Sequence, residues 1–376
     1  MSFMSKTSSF IGLSALRDRV SDSMAIDMGS ASTIIAVRGR GVVIDEPSVV
    51  AVDKLSGEVI AVGNEAQKMQ GREARDVAVI APLIDGVVAD FERTRVMLDH
   101  FVQEARSGTS HFSRRAIMSV LSGVTQVEQR ALLSAAEEAR IGRVYMIEEG
   151  LAAAIGAGVA VDDLHASAVV DIGAGTTNIA VIVNGAIIAS RAERIGSSDI
   201  DAAIRDRLRR HRGLTIGIPT AERLKLELSS AIEPKDPTRK MEVRGRDVQT
   251  GSPGAVNVSV AEVNAVTLPI IRRIADEVRS TLTELPAEVA GDIYDRGLIL
   301  TGGGAQLEGL AQYLQKEVGL SVLIADDPRF AIVRGLSQMF DEPLLLRRVA
   351  RTEPQPLFAA EITVFESWSD LDPTRR

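Results

Sequence analysis

The chain has 376 residues, 45% of them apolar and 25% charged, with a formal charge of −8. With no cysteine and only four histidines, disulfides, thiolate metal sites and a cysteine nucleophile are excluded, and a structural zinc site is not expected. The acidic balance argues against nucleic acid as a partner.

The length exceeds one ordinary core and predicts two or three domains. No apolar run reaches the roughly 18 residues of a membrane span, and the start has no signal-peptide core. A cytoplasmic location is expected.

Residues 1–22 read as a separate arm. Phe3, Phe10, Leu13, Leu16 and Val20 fall near one helical face. So short a helix is marginal alone and needs a partner surface. A membrane interface is one candidate and a frayed start is the other. From residue 24 the pattern is β-rich (MAIDM, TIIAVRG, VVIDEPSVVAV). A helix is expected over about 93–106, then a strand (RAIMSV), a helix (TQVEQRALLSAAEEA), a strand (VYMIEE) and a small-residue helix (LAAAIGAG). A second β-rich block covers 167–195. Helices follow near 197–211, 219–231 and 260–285; the basic run RDRLRRHRG reads as a solvated helix face. A strand, GLILTG, leads through glycines into a helix, and the last helix is expected to end near Phe340. Residues 341–376, with Pro343, Pro354, Pro356 and the only tryptophan, Trp368, read as a tail.

Strands followed by strand–helix alternation, twice over, predict an α/β protein of two related halves. A repeat supports this. Setting Asp27 of MAIDMGSASTIIAV against Asp171 of AVVDIGAGTTNIAVI aligns Gly29 with Gly173, Thr33 with Thr177, and Ile35-Ala36-Val37 with Ile179-Ala180-Val181. A turn of small residues lets backbone N–H groups converge on an anion. Ser32, Thr33, Thr176 and Thr177 add hydroxyls, and an aspartate at each strand end suits the waters of a Mg²⁺. Either turn alone is readable as an ordinary hairpin. The pair, with a third loop LTGGGAQLEGL at 300–310, favours a nucleotide. That third loop is neither a Walker A loop nor a dinucleotide fingerprint.

These residues resemble MreB, the bacterial actin, within the actin, sugar-kinase and heat-shock chaperone ATPase superfamily. The matching pieces run from about 24 to 340; IDGVVADF, IEE-x-LAAAIGAG and EVRGRD resemble MreB more than the wider superfamily. The resemblance implies an actin-like fold: two related α/β domains with ribonuclease H-like cores around a nucleotide cleft. It implies domain I over 23–166, with a small subdomain near 45–95, and domain II over 167–340. ATP or ADP with Mg²⁺ would sit between them. By resemblance, Asp27 and Asp171 face the metal through water. Gly29, Ser30, Ala31 and Ser32 form one phosphate loop, and Gly173, Ala174, Gly175, Thr176 and Thr177 the other, with Gly196 close by. Gly302, Gly303 and Gly304 bracket the nucleoside. Glu222, Lys225 and Ser229 resemble the adenosine-contacting helix of the chaperone ATPases; on spacing alone they read as a solvated face. Glu149, rather than Glu148, matches the catalytic acid, with Thr176 helping to place water; on sequence alone both glutamates also fit strand-end surface groups.

The family polymerises into paired filaments on the inner face of the cytoplasmic membrane and helps direct cell-wall synthesis, so self, membrane and wall-synthesis membrane proteins are the implied partners. The resemblance makes the arm a membrane anchor and gives Phe112, in GTSHFSRR, as a second inserting side chain. It implies a slow ATPase coupled to polymerisation. Departures include DMGSAST in the first loop, Ala174, Asn178, Ser197, Gly150 and Leu121, and a longer tail. Together they suggest a divergent paralogue and bear on hydrolysis more than on binding, because side chains at Ala174 and Ser197 are expected to crowd the phosphates. A non-hydrolysing scaffold and a soluble sugar kinase are the alternatives; no motif for a sugar pocket stands in the chain.

Overall fold

The computed structural model describes residues 23–106, 115–351 and 355–356. The arm with Phe3, Phe10, Leu13 and Leu16, the segment with Phe112, and Trp368 lie outside the described residues.

The first half opens with an antiparallel meander, β1 (Ser23–Met28), β2 (Ser32–Val37) and β3 (Gly41–Pro47). A small sheet follows: β4 (Val50–Asp53), β5 (Val59–Val62) and β6 (Val77–Ile80), with α1 (Gly63–Met69) between the last two. Strands β7 (Leu83–Ile84) and β8 (Val87–Val88) form a hairpin. Its turn residues Asp85 and Gly86 have φ of 49° and 73°, the backbone that an Asp-Gly primed turn supplies. Then come α2 (Phe91–Ala105), β9 (Arg115–Val120), α3 (Gln126–Glu138), β10 (Arg143–Glu148) and α4 (Glu149–Gly156).

The second half repeats the meander with β11 (Ser167–Ile172), β12 (Thr177–Val183) and β13 (Ala186–Glu193). It continues through α5 (Ser197–Arg212), β14 (Leu214–Thr215), α6 (Ile218–Leu228), β15 (Lys240–Asp247), β16 (Pro253–Ser259), α7 (Val260–Thr283), α8 (Ala287–Arg296), β17 (Leu298–Thr301), α9 (Leu310–Val318) and β18 (Val322–Ile324). The chain then returns to the first half with α10 (Ala331–Gln338), α11 (Pro343–Val349) and β19 (Gln355–Pro356).

The two main sheets have one topology. The first runs β3-β2-β1-β9-β10, extended by β19, and the second runs β13-β12-β11-β17-β18. In each, the three strands after the meander's outer pair are parallel. The central strand β11 is buried at all six positions, SAVVDI, as parallel strands covered on both faces must be. Capping boxes set helix starts: Thr125 with Glu128 for α3, and Ser259 with Glu262 for α7. The basic run forms the last turns of α5, where Arg209 and Arg210 meet Asp206 and Arg212 meets Glu262. Its cations also suit the negative end of that helix.

Three apolar cores result. One fills the second half around Val170, Leu224 and Ile274. One fills the outer side of the first sheet around Met24, Met97 and Phe101. The third lies between the two sheets, where α4 and α10 pack among Ile34, Ile147, Ala180 and Leu336. The crossing of α4 and α10 is backbone to backbone. A Cβ on Gly156 would lie 1.8 Å from the Ala331 carbonyl oxygen, and one on Gly335 1.9 Å from that of Ala152.

The sequence reading starts a tail at 341. Instead, α11 seats Leu346, 3% exposed, in the third core, and the Arg351 N–H donates to the Met146 carbonyl at 3.0 Å. Pro343, counted with the tail, stands in the first turn of α11, where its missing N–H costs nothing. The β15–β16 hairpin, holding EVRGRD, and helices α1 and α8 also went unread. The two strands do alternate between exposed and covered positions, but glycines (Gly245, Gly254) interrupt the covered set and only Val243 and Val258 are fully buried.

Candidate nucleotide cleft

The repeated turns have matching geometry. In the first, the Gly29 N–H donates to the Ser32 carbonyl at 3.0 Å; in the second, Gly173 donates to Thr176 at 2.8 Å. Each aspartate precedes its loop on the central strand, Asp27 opposite Ile34 and Asp171 opposite Asn178. The two loops face each other across a cleft of about 410 Å³, within the usual range of ligand sites.

Every sequence-predicted nucleotide and catalytic residue except Thr33 and Thr177 lines this cleft: both aspartates, both loops, Gly196, the α6 positions Glu222 and Lys225 with Ser229 at its end, Gly302–Gly304, and Glu149; the Thr33 hydroxyl is buried against Ser48 Oγ at 2.9 Å instead. Thr177 is a correction. It is fully buried and donates to the Ile195 carbonyl at 2.8 Å. As the first residue of β12 its side chain alternates away from the loop.

Several members are held by other parts of the chain. The N–H groups of Ser197 and Ser198 donate to the carbonyls of Gly173 and Ala174, at 3.0 and 2.8 Å, so the start of α5 fixes the second loop. Lys225 lines the cleft, yet its ammonium pairs with the Asp201 carboxylate at 2.7 Å and donates to the Ser197 carbonyl at 3.2 Å. Gly302 has φ of +81°, and a Cβ there would stand 2.4 Å from the Ile172 carbonyl oxygen; a larger residue is barred by backbone and space alike. Gly303 opens on free space. The β7–β8 hairpin touches both loops: the Gly86 N–H donates to Ser30 Oγ at 2.8 Å, and a Cβ on Gly175 would lie 3.1 Å from Asp85 Cα.

Three acids gather at the floor. Asp27 accepts from Ser119 Oγ at 2.8 Å, Asp171 from Thr301 Oγ1 at 2.8 Å, and Glu149 from Asn178 Nδ2 at 2.6 Å. Burial pushes Asp27 up to about 6 against the Ser119 bond. Burial also pushes Asp171 up to about 7, with the Asp27 charge adding to it. Glu149 is raised well above the carboxylate range by burial, then by Asp27 and Asp171. Glu148 is drawn elsewhere, accepting from Ser122 Oγ at 2.7 Å with Arg351 3.6 Å away. Among the described residues no three acidic or imidazole groups are clustered as an all-protein metal cage. Repelling, desolvated carboxylates beside two anion-cradling loops instead fit a hard cation whose remaining ligands are water and phosphate oxygen.

Sequence reading missed the apolar end of the cleft, lined by Ile200, Leu226, Ile271, Ile274 and Leu307. Ile271 and Ile274 share a face of α7 and carry the same signal as ordinary core. It also missed Arg329, which lines the cleft and forms a bidentate pair with Asp45 of β3, 2.8 Å on one arm.

Two sheets of one topology, each sending a small-residue loop into a shared cleft, define an actin-like protein. A family model described as MreB/Mbl protein matches residues 21–347. The cell shape-determining protein MreB of Escherichia coli (strain K12) is 42% identical over 328 residues, 86% of this chain and 94% of that protein. The cell shape-determining protein Mbl of Bacillus subtilis (strain 168) is 39% identical over 318 residues, 85% and 95% of the two chains. The crystal structure of MreB5 of Spiroplasma citri bound to AMPPNP superposes with a TM-score of 0.81 at 31% identity, covering 86% of this chain and 97% of that one; MreB5 bound to ADP gives the same TM-score. The MamK double helical filament, at 22% identity and a TM-score of 0.72, shares the fold. The chain belongs to the MreB/Mbl family.

Proposed function

We propose that this chain is an ATP-binding bacterial actin that assembles into filaments on the inner face of the cytoplasmic membrane and helps set cell shape by organising wall synthesis. The observation that carries the nucleotide part is the pair of matched loops meeting across one cleft with Glu149 between them. A relative 31% identical is a complex with AMPPNP, and relatives about 40% identical are named for determining cell shape.

Gly29–Ser32 and Gly173–Thr176 receive the phosphates through backbone N–H groups and hydroxyls. Gly302–Gly304, Glu222 and the isoleucines of α7 enclose the nucleoside. Asp27 and Asp171 would hold a Mg²⁺ through its waters, and that ion would supply the positive charge that phosphates and buried acids both lack. Glu149 accepts a hydrogen bond from a water and aims it at the terminal phosphorus; the Thr176 hydroxyl completes that water's placement. Lys225 acts at one remove, holding the start of α5 and so the second loop. Membrane attachment rests on the amphipathic arm, Phe3 through Leu16, and on Phe112, a modest anchor multiplied along a filament. The location is cytoplasmic and peripheral, with wall-synthesis membrane proteins as partners.

Electron microscopy of the purified chain with Mg-ATP, with and without anionic liposomes, tests this. Paired filaments lying on lipid are expected. No filaments with any nucleotide or lipid would overturn it. Phosphate release separates an ATPase from a non-hydrolysing scaffold, and Glu149→Gln is expected to remove that release.

A further inference from the structure

Asn178 stands at a point where the two half-sheets differ chemically beside the cleft. Its counterpart opposite Asp27 is Ile34, whereas Asn178 faces Asp171 across β11 and β12. A carboxamide that is 2% exposed is costly unless it is bonded. Its Nδ2 donates to Glu149 Oε2 at 2.6 Å, while its Oδ1 has no hydrogen-bond partner.

The geometry points to Asn178 as the positioning residue for Glu149, holding that side chain toward the two loops both before and after it takes up a proton. This rests on the reading of Glu149 as the group that aims the water. An ionised carboxylate only accepts, so it takes the amide N–H; a protonated carboxyl also donates, and then needs an acceptor. A carboxamide presents a donor and an acceptor side by side, so Nδ2 can keep one Glu149 oxygen while the unpartnered Oδ1 is available to accept from the other once it carries a proton. In the step served, the water oxygen bonds to the terminal phosphorus and the bridging P–O bond breaks. Its electron pair stays with the diphosphate, and one water proton rests on Glu149 before passing to the released phosphate. The charged neighbours leave no substitute for this bond. Asp27 on β1 and Asp171 on β11 repel the Glu149 carboxylate. The cations lining the cleft are engaged elsewhere, Lys225 with Asp201 and Arg329 with Asp45, and Arg351 pairs with Glu148. An aspartate at 178 would add a fourth carboxylate to the cluster and remove the only side-chain donor that Glu149 has among the described residues.

The test uses the full chain with Mg-ATP and compares kcat, KM and nucleotide affinity for Asn178→Leu and Asn178→Asp, with Glu149→Gln in parallel. A displaced water-aiming group costs on the order of tenfold to a hundredfold in rate. The expected result is that loss in kcat for both variants, with KM and affinity within about twofold. Asn178→Asp keeps the side-chain shape should the leucine variant fail to fold. Unchanged kcat, or a loss that follows KM and affinity, overturns the inference and leaves the role of Glu149 standing. Hydrolysis unaffected by Glu149→Gln, or absent in the unaltered chain, overturns the reading beneath it and the inference too.

Discussion

Asp171 is 3% exposed, accepts one hydrogen bond from Thr301, and has its pKa pushed up to about 7. Its folded-state value lies above the unfolded one near 4, so between those values the folded chain binds more protons than the unfolded chain. Stability therefore falls as pH rises from about 4 to about 7, and Asp27, pushed up to about 6, acts in the same direction. Asp171→Asn removes part of that slope. Without nucleotide, its thermal midpoint above pH 7 is expected to rise by a few degrees, while the further rise on adding Mg-ATP is lost. A midpoint that falls, or a Mg-ATP effect that survives, refutes this account of the acids. Both aspartates were legible because each closes an apolar strand and opens a small-residue turn. Thr177 was misread because one step along a strand reverses the side chain's direction. The Lys225–Asp201 pair was not legible: its members are 24 residues apart, and neither spacing nor composition marks such partners.

The meanders were legible as β-branched runs punctuated by glycine and proline, and α2 and α3 as helices between them. The α4–α10 crossing was not. LAAAIGAG announces a small-residue helix without saying what it meets, and Gly335 stands in a short stretch with no small-residue signal. Together Gly156 and Gly335 remove the side chains that would keep the two helices apart. Gly335→Ala forces a methyl into the Ala152 carbonyl and is expected to cost about 1–3 kcal/mol, the range of overpacked cores. Denaturant unfolding measures it, and a change below about 0.5 kcal/mol would mean that the crossing yields freely. The same substitution at Gly303, where a Cβ meets nothing within 4 Å, serves as the comparison.

Across the molecule, the halves are joined by the third core and, at the cleft, by Arg329 on Asp45 and by the β7–β8 hairpin against both loops. The Arg329 and Asp45 side chains are 40% and 32% exposed, so the pair contributes at most about 1 kcal/mol. Its position matters more than its energy. Arg329→Ala is expected to leave the unfolding midpoint nearly unchanged and to speed release of a bound fluorescent ADP severalfold; an unchanged release rate would remove Arg329 from control of the cleft. The two-half plan was legible because the sequence repeats itself. The return of the chain was not, since nothing in α10 or α11 names the sheet it covers. That return orders events during synthesis. The inner face of the first sheet, with Ile34, Ile117 and Ile147, is closed by Ile332, Leu336, Phe340 and Leu346, which emerge from the ribosome after the whole second half. A nascent chain halted before residue 331 would carry an open apolar wall. The first half is thus made first and finished last, and chaperone dependence should peak in that interval.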